Sequence, residues 1–275
     1  MITILLATYN SEKYLRQQLD SLFNQSYKDW RLIVRDDLSS DRTIELLNEY
    51  SAKYPNKMKI IPNDGKSLKS YLNFIELLKS ADSDYYMFCD HDDVWLPNKI
   101  ELSIKRMREV EKHNTPVIVH TDMKVVDENL NIIHPSFWKY SNLLPEHTSF
   151  VEMVLCNSAN GCTMLFNQKA KEVSIQNVKY AKMHDILLNQ SVSANCGIIS
   201  AIYEPTVLYR QHSDNVVGAQ KRSALFYLKK IKNIKTLIED NWYTWKQASH
   251  IKPIPFYLYL WTKIKIVLLK FFAER

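Results

Sequence analysis

The chain has 275 residues, of which 46% are hydrophobic and 12% aromatic, enough for one large α/β domain or for a domain with an appendage. Only four glycines are present and no G-x-G-x-x-G or G-x-x-x-x-G-K-[ST] motif occurs, which argues against glycine-rich phosphate loops. The net charge is +6, and the basic excess lies late in the chain.

The N-terminus has no basic region before its short apolar run, and no stretch reaches the ~18 uncharged apolar residues of a membrane span. We therefore expect the chain to face the cytosol. The four cysteines form no C-x-x-C pair, which favours buried thiols in a reducing compartment over zinc ligands or disulfides. We expect no nucleic-acid partner, and the sequence does not indicate the oligomeric state.

The first hundred residues alternate strands and helices. Strands are expected at 2–7, 30–34, 58–61 and 84–89. The first intervening helix is expected to begin at Ser11 and the second at Ser40 or Asp41, and a third is expected to run through Leu78. This alternation predicts a parallel sheet with right-handed crossovers, on which ligands bind beyond the carboxyl ends of the strands.

Past residue 100 the alternation loosens. The expected elements are a helix near 99–111, a strand at 116–120, a hairpin around 128–129, a strand at 161–166, a helix near 184–192, and strands near 197–203 and 206–210.

Three carboxylates follow the aromatic strand Tyr85–Cys89, in the run Asp90-His91-Asp92-Asp93. Like charges that lose water beside one another are costly, so a cation is expected among them. Mg²⁺ or Mn²⁺ carrying a substrate phosphate fits this oxygen-rich set. The alternative is a turn whose aspartates cap a helix starting at Trp95-Leu96-Pro97. Three aspartates in four residues favour the metal–phosphate site.

Two further polar groups lie at the same predicted edge. Thr8-Tyr9-Asn10 follows the first strand, and Asp36-Asp37 follows the second. Thr8 and Tyr9 can hold a pyrimidine by backbone contact and ring packing, and Asp36 or Asp37 can accept a hydrogen bond from its imide N–H. The alternative for the aspartate pair is a helix cap before Arg42-Thr43.

Six motifs in order resemble the inverting family 2 glycosyltransferases with the A-type nucleotide-sugar fold. They are Thr8-Tyr9-Asn10, Asp36 to Thr43, Asp90 to Trp95, Asn160 to Asn167, His184-Asp185 and Tyr209-Arg210-Gln211-His212. Their versions look like those of bacterial surface-polysaccharide enzymes, including rhamnosyltransferase-like members. The chain departs at His91, where Gln is common, and at Ser213-Asp214, where Gly-Asn is common.

The resemblance implies a Rossmann-like A-type α/β fold, a mostly parallel sheet flanked by helices. It assigns residues 1–220 to a nucleotide-sugar-binding catalytic domain and leaves 221–275 as a basic, aromatic helical appendage. The implied reaction is metal-dependent, inverting transfer from a nucleoside-diphosphate sugar to a hydroxyl of a glycan or lipid-linked acceptor. The alternative is a non-catalytic carbohydrate-binding or scaffold protein. Haloacid-dehalogenase phosphatases are disfavoured because no Asp-x-Asp-x-Thr motif follows the first strand. Sugar nucleotidyltransferases are disfavoured because no glycine-rich loop follows it.

The expected metal ligands are Asp92, directly, and Asp90, which faces the ribose or the metal's water shell, while Asp93 supports the loop. His212 is either a further ligand or a structural histidine. Asp185 resembles the family's catalytic base, although an aspartate in a first helical turn is also stabilised by the helix dipole. Asn160, Gly161 and His184 are expected on the acceptor side, with Gly161 alternatively a flexible strand start.

The C-terminal third has a different character. One helical face is predicted from Ala224 to Ile238, with Lys229, Lys230 and Lys232 off it, and 254–272 form an aromatic run broken by lysines. Such segments suit an anionic membrane surface at the inner face of the cell membrane. They also suit an appendage that packs on the domain or on a second copy.

Overall fold

The structure, a computed structural model, describes residues 1–213, 218–219 and 234–273. The proposed domain boundary after residue 220 and the part of the predicted helical face from Ala224 to residue 233 lie outside the described residues. Within them, nine strands form one sheet in the order β3-β2-β1-β4-β8-β6-β9-β5, with β7 paired to β6.

The first half of the sheet is parallel, as predicted from the strand–helix alternation. It contains β1 (Ile2–Thr8), β2 (Trp30–Asp36), β3 (Met58–Ile60) and β4 (Tyr85–Cys89). β1 is buried along its whole length and pairs with both β2 and β4, so the polar residues that follow these three strands emerge at one edge.

The second half of the sheet is mixed. It contains β5 (Val94–Trp95), β6 (Val117–Val126), β7 (Ile132–His134), β8 (Met164–Asn167) and β9 (Ile198–Arg210). β6 runs parallel to β9 but antiparallel to β7 and β8, and β8 is antiparallel to β4. Two predictions are corrected here. Residues Gly161–Thr163 form a 3₁₀ turn before β8, and the two strands expected near 197–210 are one strand with shifted register opposite Thr121 and Asp122.

Helices cover both faces of the sheet because their apolar stripes need burial. One face carries α1 (Leu15–Phe23), α2 (Thr43–Lys53) and α4 (Lys99–Val110). The other carries α3 (Lys69–Ser80), α7 (Gln168–Ile175) and α8 (His184–Ala194). Two short helices, α5 (Phe137–Tyr140) and α6 (Phe150–Leu155), lie between β7 and β8.

The start of α1 differs from the predicted cap, whereas α2 opens after the predicted Asp41. α1 begins at Leu15 without a side-chain cap, because the Ser11 hydroxyl accepts the Tyr9 amide instead, at 3.1 Å. Ahead of α2, the Asp41 carboxylate accepts the Thr43 amide at 3.0 Å, so Asp36 and Asp37 do not cap this helix. α4 begins after Asn98 with no side-chain cap, so the Asp90–Asp93 loop does not cap it.

Two helices follow near the C-terminus, α9 (Ile234–Ile251) and α10 (Phe256–Ala273). Phe150 of α6 forms one apolar cluster with Ala248, Ile254 and Tyr259. The described part of the appendage therefore packs on the domain. None of the helices in the described residues is long and apolar enough to cross a membrane.

Candidate active site

The predicted polar groups meet at the carboxyl edge of the parallel strands. Thr8 and Asp36 stand opposite each other at the ends of β1 and β2, and the Thr8 hydroxyl donates to the Asp36 carboxylate at 2.9 Å. The loop that starts at Asp90 follows the neighbouring strand β4. Asp185 reaches Asp90 from the first turn of α8, close enough for its charge to raise the pKa of Asp90.

Asp37 is saturated with hydrogen-bond donors from its own protein. Its oxygens accept the amides of Leu68 and Lys69 at 2.7 and 2.8 Å, the Ser67 hydroxyl at 2.7 Å and the Arg35 guanidinium at 3.3 Å. Burial alone would raise the pKa of Asp37, but these donors outweigh it and hold the pKa below its usual value. Asp37 thus fixes the loop that leads into α3.

The carboxylate of Asp36 has only some of its hydrogen-bond acceptor sites in use. Besides Thr8, it accepts the Ser39 hydroxyl at 2.6 Å and the Ser39 amide at 2.8 Å. An ionised carboxylate offers about four acceptor sites, so Asp36 retains one and Asp37 none.

Tyr9 and Asn10 form the open rim of this side. Tyr9 is 55% exposed. Asn10 has φ +44°, a left-handed conformation that asparagine tolerates better than most residues. Its side-chain oxygen accepts the Ser40 amide at 2.9 Å, and its own amide donates to Ser39 at 2.8 Å. These bonds lock the loops after β1 and β2 together.

The loop after β4 has the opposite electrostatic character. Burial, with Asp92 and Asp185 nearby, raises the pKa of Asp90 to about 7. Burial also raises the pKa of Asp93 well above its usual range, with Asp92 and Asp90 adding to the shift. Asp93 accepts the Arg210 amide at 3.1 Å, while its second oxygen is buried without a hydrogen-bond partner. The acidic loop is short of positive charge.

Asp92 and His212 form a pair at the mouth of this cluster. The His212 Nε2 atom lies 2.9 Å from an Asp92 carboxylate oxygen, and the His212 ring packs on Tyr14 with centroids 4.9 Å apart. The side chain of Asp92 is 14% exposed and that of His212 is 5% exposed. A carboxylate oxygen and an imidazole nitrogen, both of which can bind a divalent cation, therefore lie next to each other.

Arg210 holds that pair in place. Its guanidinium donates to the Asp92 backbone oxygen at 2.8 Å and to the Gln17 side chain at 2.6 Å, and it lies 4.5 Å from the Tyr14 ring centroid. Tyr14 thus has Arg210 and His212 against its ring. Arg210 itself is 1% exposed.

The acidic cluster fits a divalent cation on its donor set. Among the described residues, Asp90, Asp93 and Cys162 bring one ligand atom each within 4.8 Å of one another. This geometric set differs from the predicted Asp90, Asp92 and His212. Burial raises the pKa of the Cys162 thiol well above its usual value, which makes it a poor ligand for Mg²⁺ or Mn²⁺. The carboxylates of both sets suit a hard cation.

Asp185 stands in the first turn of α8, as predicted. Its oxygens accept the Ile186 amide at 2.7 Å and the Asn157 side-chain amide at 3.1 Å. Burial raises the pKa of Asp185 to about 6, and those two hydrogen bonds limit the rise. At neutral pH the carboxylate is mostly ionised yet basic enough to take a proton.

The residues predicted on the acceptor side are closely packed. A side-chain carbon on Gly161 would lie 2.3 Å from His184 Nε2, so Gly161 is required by close approach rather than by strand flexibility. His184 also packs on Phe74 and Phe88, with centroids 4.0 and 4.6 Å away, and burial lowers its pKa to about 3. His184 Nε2 and Asn160 Oδ1 are buried without a hydrogen-bond partner.

Sequence reasoning missed the supporting residues. Arg210 was recognised only as part of a motif, and Asn157 carried no signal because a lone asparagine is common in turns. Lys99 is fully buried behind the site, where burial lowers its pKa to about 8 while Cys162, Cys89 and Asp93 oppose the shift. Its place at a helix start gave no hint of burial.

Comparison with known proteins agrees with this architecture. The model of "Glycosyl transferase family 2" matches residues 3–173. The dTDP-rhamnosyl transferase RfbG of Shigella flexneri is 29% identical over 250 residues, covering 86% of this chain and 80% of that protein. The UDP-Glc:alpha-D-GlcNAc-diphosphoundecaprenol beta-1,3-glucosyltransferase WfgD of Escherichia coli is 26% identical over 213 residues, covering 74% and 76%.

The fold is also that of a solved glycosyltransferase. S. aureus TarS 1-349, determined in complex with UDP-GlcNAc, superposes with a TM-score of 0.59 at 18% identity, covering 90% of this chain and 71% of that one. This likeness concerns the fold alone. The family model spans more than half of the chain, and its matched region contains the loops after β1, β2 and β4. The chain belongs to glycosyl transferase family 2 and is a glycosyltransferase.

Proposed function

We propose that this enzyme transfers a sugar from a nucleoside-diphosphate sugar to an acceptor hydroxyl, with a divalent metal and with inversion at the anomeric carbon. The observation that carries the proposal is the acidic loop facing Asp185. Asp90 is held at a pKa of about 7 by burial, Asp92 and Asp185. Such crowding is relieved when a cation and its anionic substrate enter.

On the donor side, Thr8, Tyr9 and Asn10 would hold the base, with the exposed Tyr9 ring as a packing surface. Asp36 is the better acceptor for the imide N–H, because one of its acceptor sites is free while all those of Asp37 are used. Asp37 would act indirectly, by shaping the adjoining loop.

Asp92, Asp90 and His212 would hold Mg²⁺ or Mn²⁺ at the mouth of the acidic loop. Asp93 is too deeply buried to meet a substrate, and it already accepts the Arg210 amide. A bound cation would neutralise the charge that develops on the departing nucleoside diphosphate. The buried Lys99 lies close enough for Asp93 to oppose the lowering of the Lys99 pKa by burial.

Asp185 would act as the catalytic base. The acceptor oxygen bonds to the anomeric carbon as the bond from that carbon to the diphosphate breaks, and the acceptor proton passes to the Asp185 carboxylate. One displacement of this kind inverts the anomeric configuration. Asn157 donates to one oxygen of Asp185, and the first turn of α8 fixes the backbone of Asp185, so both restrict the orientation of the carboxylate.

The acceptor is proposed to be a glycan or lipid-linked hydroxyl in bacterial surface-polysaccharide synthesis. The Escherichia coli relative is named for a diphosphoundecaprenol-linked acceptor and the Shigella relative for a dTDP-rhamnosyl donor. Asn160, Gly161 and His184 would shape the acceptor side. A lipid-linked acceptor implies a cytoplasmic enzyme in peripheral contact with the inner face of the cell membrane.

A thermal-shift screen with UDP-, dTDP- and GDP-sugars, with and without Mn²⁺, tests this proposal. A donor that binds the native state raises its unfolding temperature by mass action, and the rise should need Mn²⁺. Hydrolysis of the stabilising donor then separates an enzyme from a non-catalytic carbohydrate-binding or scaffold protein. Stabilisation without any turnover would support the second candidate, and no metal-dependent shift with any donor would reject the proposed site.

A further inference from the structure

We propose that the outward face of α10 docks the enzyme on an anionic phospholipid surface, with the acceptor side of the site turned toward the lipid. The orientation toward the acceptor rests on the proposed function, whereas the docking itself rests on the appendage alone. The docking surface, called here the outer stripe, consists of Tyr257, Trp261, Ile264, Leu268 and Phe271.

The outer stripe is apolar and exposed. Its members recur every three or four residues, the spacing that places side chains on one face of a helix. Their exposed fractions run from 76% at Tyr257 and 66% at Trp261 to 49% at Phe271. A contiguous exposed apolar face of this kind marks an interaction site.

The fold does not need the outer stripe. The opposite face of α10 buries Tyr259 and Ile266, and Tyr259 joins the apolar cluster with Phe150, Ala248 and Ile254. The Lys270 carbonyl also accepts the Asn142 side-chain amide at 3.1 Å. With one face anchored and no described helix able to span a membrane, α10 suits a position in the plane of an interface.

Charge favours lipid over a second copy of the chain. Residues 221–275 contain 12 Lys and Arg against three Asp and Glu, a net +9, although the whole chain is only +6. α10 itself carries three lysines and no acidic residue, but Lys270 is buried and the half-exposed Lys265 pairs with Glu152 at 3.2 Å, so the charge argument rests on the whole segment 221–275. Two such segments repel each other, whereas the anionic leaflet attracts them. Tyr and Trp within the stripe are the residues that favour the headgroup region.

The appendage is fastened to the acceptor side of the site. α10 packs on α6, and Asn157, the partner of Asp185, follows α6 directly. Lys252, which follows α9, donates to the Ala194 carbonyl at the C-terminal end of α8, at 3.1 Å. The N-terminal end of α8 carries His184 and Asp185. The appendage thus adjoins the two helices that lead to Asn157 and Asp185, and this contact is the basis for turning the acceptor side toward the lipid.

Flotation with vesicles tests the docking on the full chain. Vesicles of phosphatidylglycerol and phosphatidylcholine should bind the protein, pure phosphatidylcholine should bind it far less, and 0.5 M NaCl should weaken binding. The double variant Ile264→Ser, Leu268→Ser, 55% and 51% exposed, should lose about 10-fold in partitioning, since apolar burial is removed. The matched control Ile132→Ser, Ile133→Ser, 59% and 50% exposed on β7, should bind like the wild type.

Unchanged unfolding temperature and donor hydrolysis in solution establish that the variants are folded. Equal vesicle binding by the outer-stripe variant and the wild type, or no binding by the wild type, would overturn the docking. A wild-type dimer that the outer-stripe variant converts to monomer in sedimentation velocity, without vesicle binding, would assign the face to a second copy. Failure of donor hydrolysis in the wild type would reject the proposed function while leaving the vesicle result valid.

Discussion

Two acidic clusters lie at one edge of the sheet and differ in how their charges are balanced. Asp36, the last residue of β2, accepts hydrogen bonds from Thr8 and Ser39, and Asp37 accepts them from the loop before α3, which lowers the pKa of Asp37. After β4, the half-buried Asp90 and the fully buried Asp93 lie beside other carboxylates, and their pKa values are raised.

The contrast separates a cluster completed by the protein from one that is completed by a ligand. A carboxylate that already accepts several donors stabilises the fold and changes little when a substrate arrives. Carboxylates crowded without enough donors cost stability, which is recovered when a cation binds. Substitution of Asp37, whose acceptor sites are all used, should therefore weaken the fold, and substitutions in the second cluster should weaken transfer.

The largest effect is expected for Asp92→Ala. Without this carboxylate the metal loses a proposed direct ligand, so Mn²⁺-dependent transfer should fall by more than ~10³-fold with the unfolding temperature nearly unchanged. The matched control is Asp84→Ala, a 70% exposed aspartate just before the opposite end of β4. Transfer and thermal unfolding are measured for both. Full activity in Asp92→Ala would remove Asp92 from the metal site.

Asp185→Asn should lose turnover by roughly 10²-fold while donor binding stays normal, because an amide cannot take the acceptor proton. In the wild type, kcat should rise with pH through about 6, the raised pKa of Asp185, since only the ionised form is a base. The part of the acidic limb that reports Asp185 should vanish in the variant, while any part due to Asp90, whose pKa is about 7, should remain.

The same group predicts a change in stability. Its folded-state pKa is raised, so the native state binds more protons between pH 3.8 and about 6, and stability from this group falls as pH rises through that window. Asp185→Asn should flatten that fall in urea unfolding at pH 5 and pH 8. In the turnover assay of the preceding prediction, near-normal activity of Asp185→Asn would point to another carboxylate as the base.

Asp37→Asn should destabilise the fold by about 2–4 kcal/mol, because an amide cannot accept from donors on both oxygens. The folded-state pKa of Asp37 is lowered, so its contribution is present above pH 3.8 and is lost as pH falls below it. Urea unfolding at pH 7 and pH 3 should show the difference between variant and wild type shrinking at the lower pH. An unchanged midpoint at pH 7 would mean that the two clusters are alike.

The sequence predicted the parallel half of the fold well because each strand there is a short, buried apolar run between turn signals. It also predicted which groups share an edge, since parallel strands end together. The 3₁₀ turn at Gly161–Thr163 was missed because the apolar run around it looks like a strand. The reason for Gly161 is the ring of His184, a contact between segments that periodicity cannot show.

Charge balance was the least predictable property of the site. Asp37 looks like the later aspartates in the sequence, yet the donors that distinguish it come from Ser67, Leu68 and Lys69, some thirty residues away. Lys99 and Arg210 likewise become buried only through tertiary packing. Such residues have no local signature, so only the assembled fold identifies them.

The smallest effect is expected for Arg210→Lys, which tests whether the second cluster depends on its support. Arginine reaches the Asp92 carbonyl, Gln17 and the Glu128 carbonyl through separate nitrogens, and a lysine ammonium cannot span that fork. Asp92 and His212 should then be less well aligned, so Mn²⁺ affinity should fall about 10-fold in a direct titration, with a matching rise in the Mn²⁺ needed for half-maximal transfer. Arg106→Lys, on the surface of α4, is the control. A purely structural role would lower the unfolding temperature and leave the Mn²⁺ titration unchanged. In that case, Arg210 would belong with Asp37 among the residues that build the fold, although it touches the acidic loop.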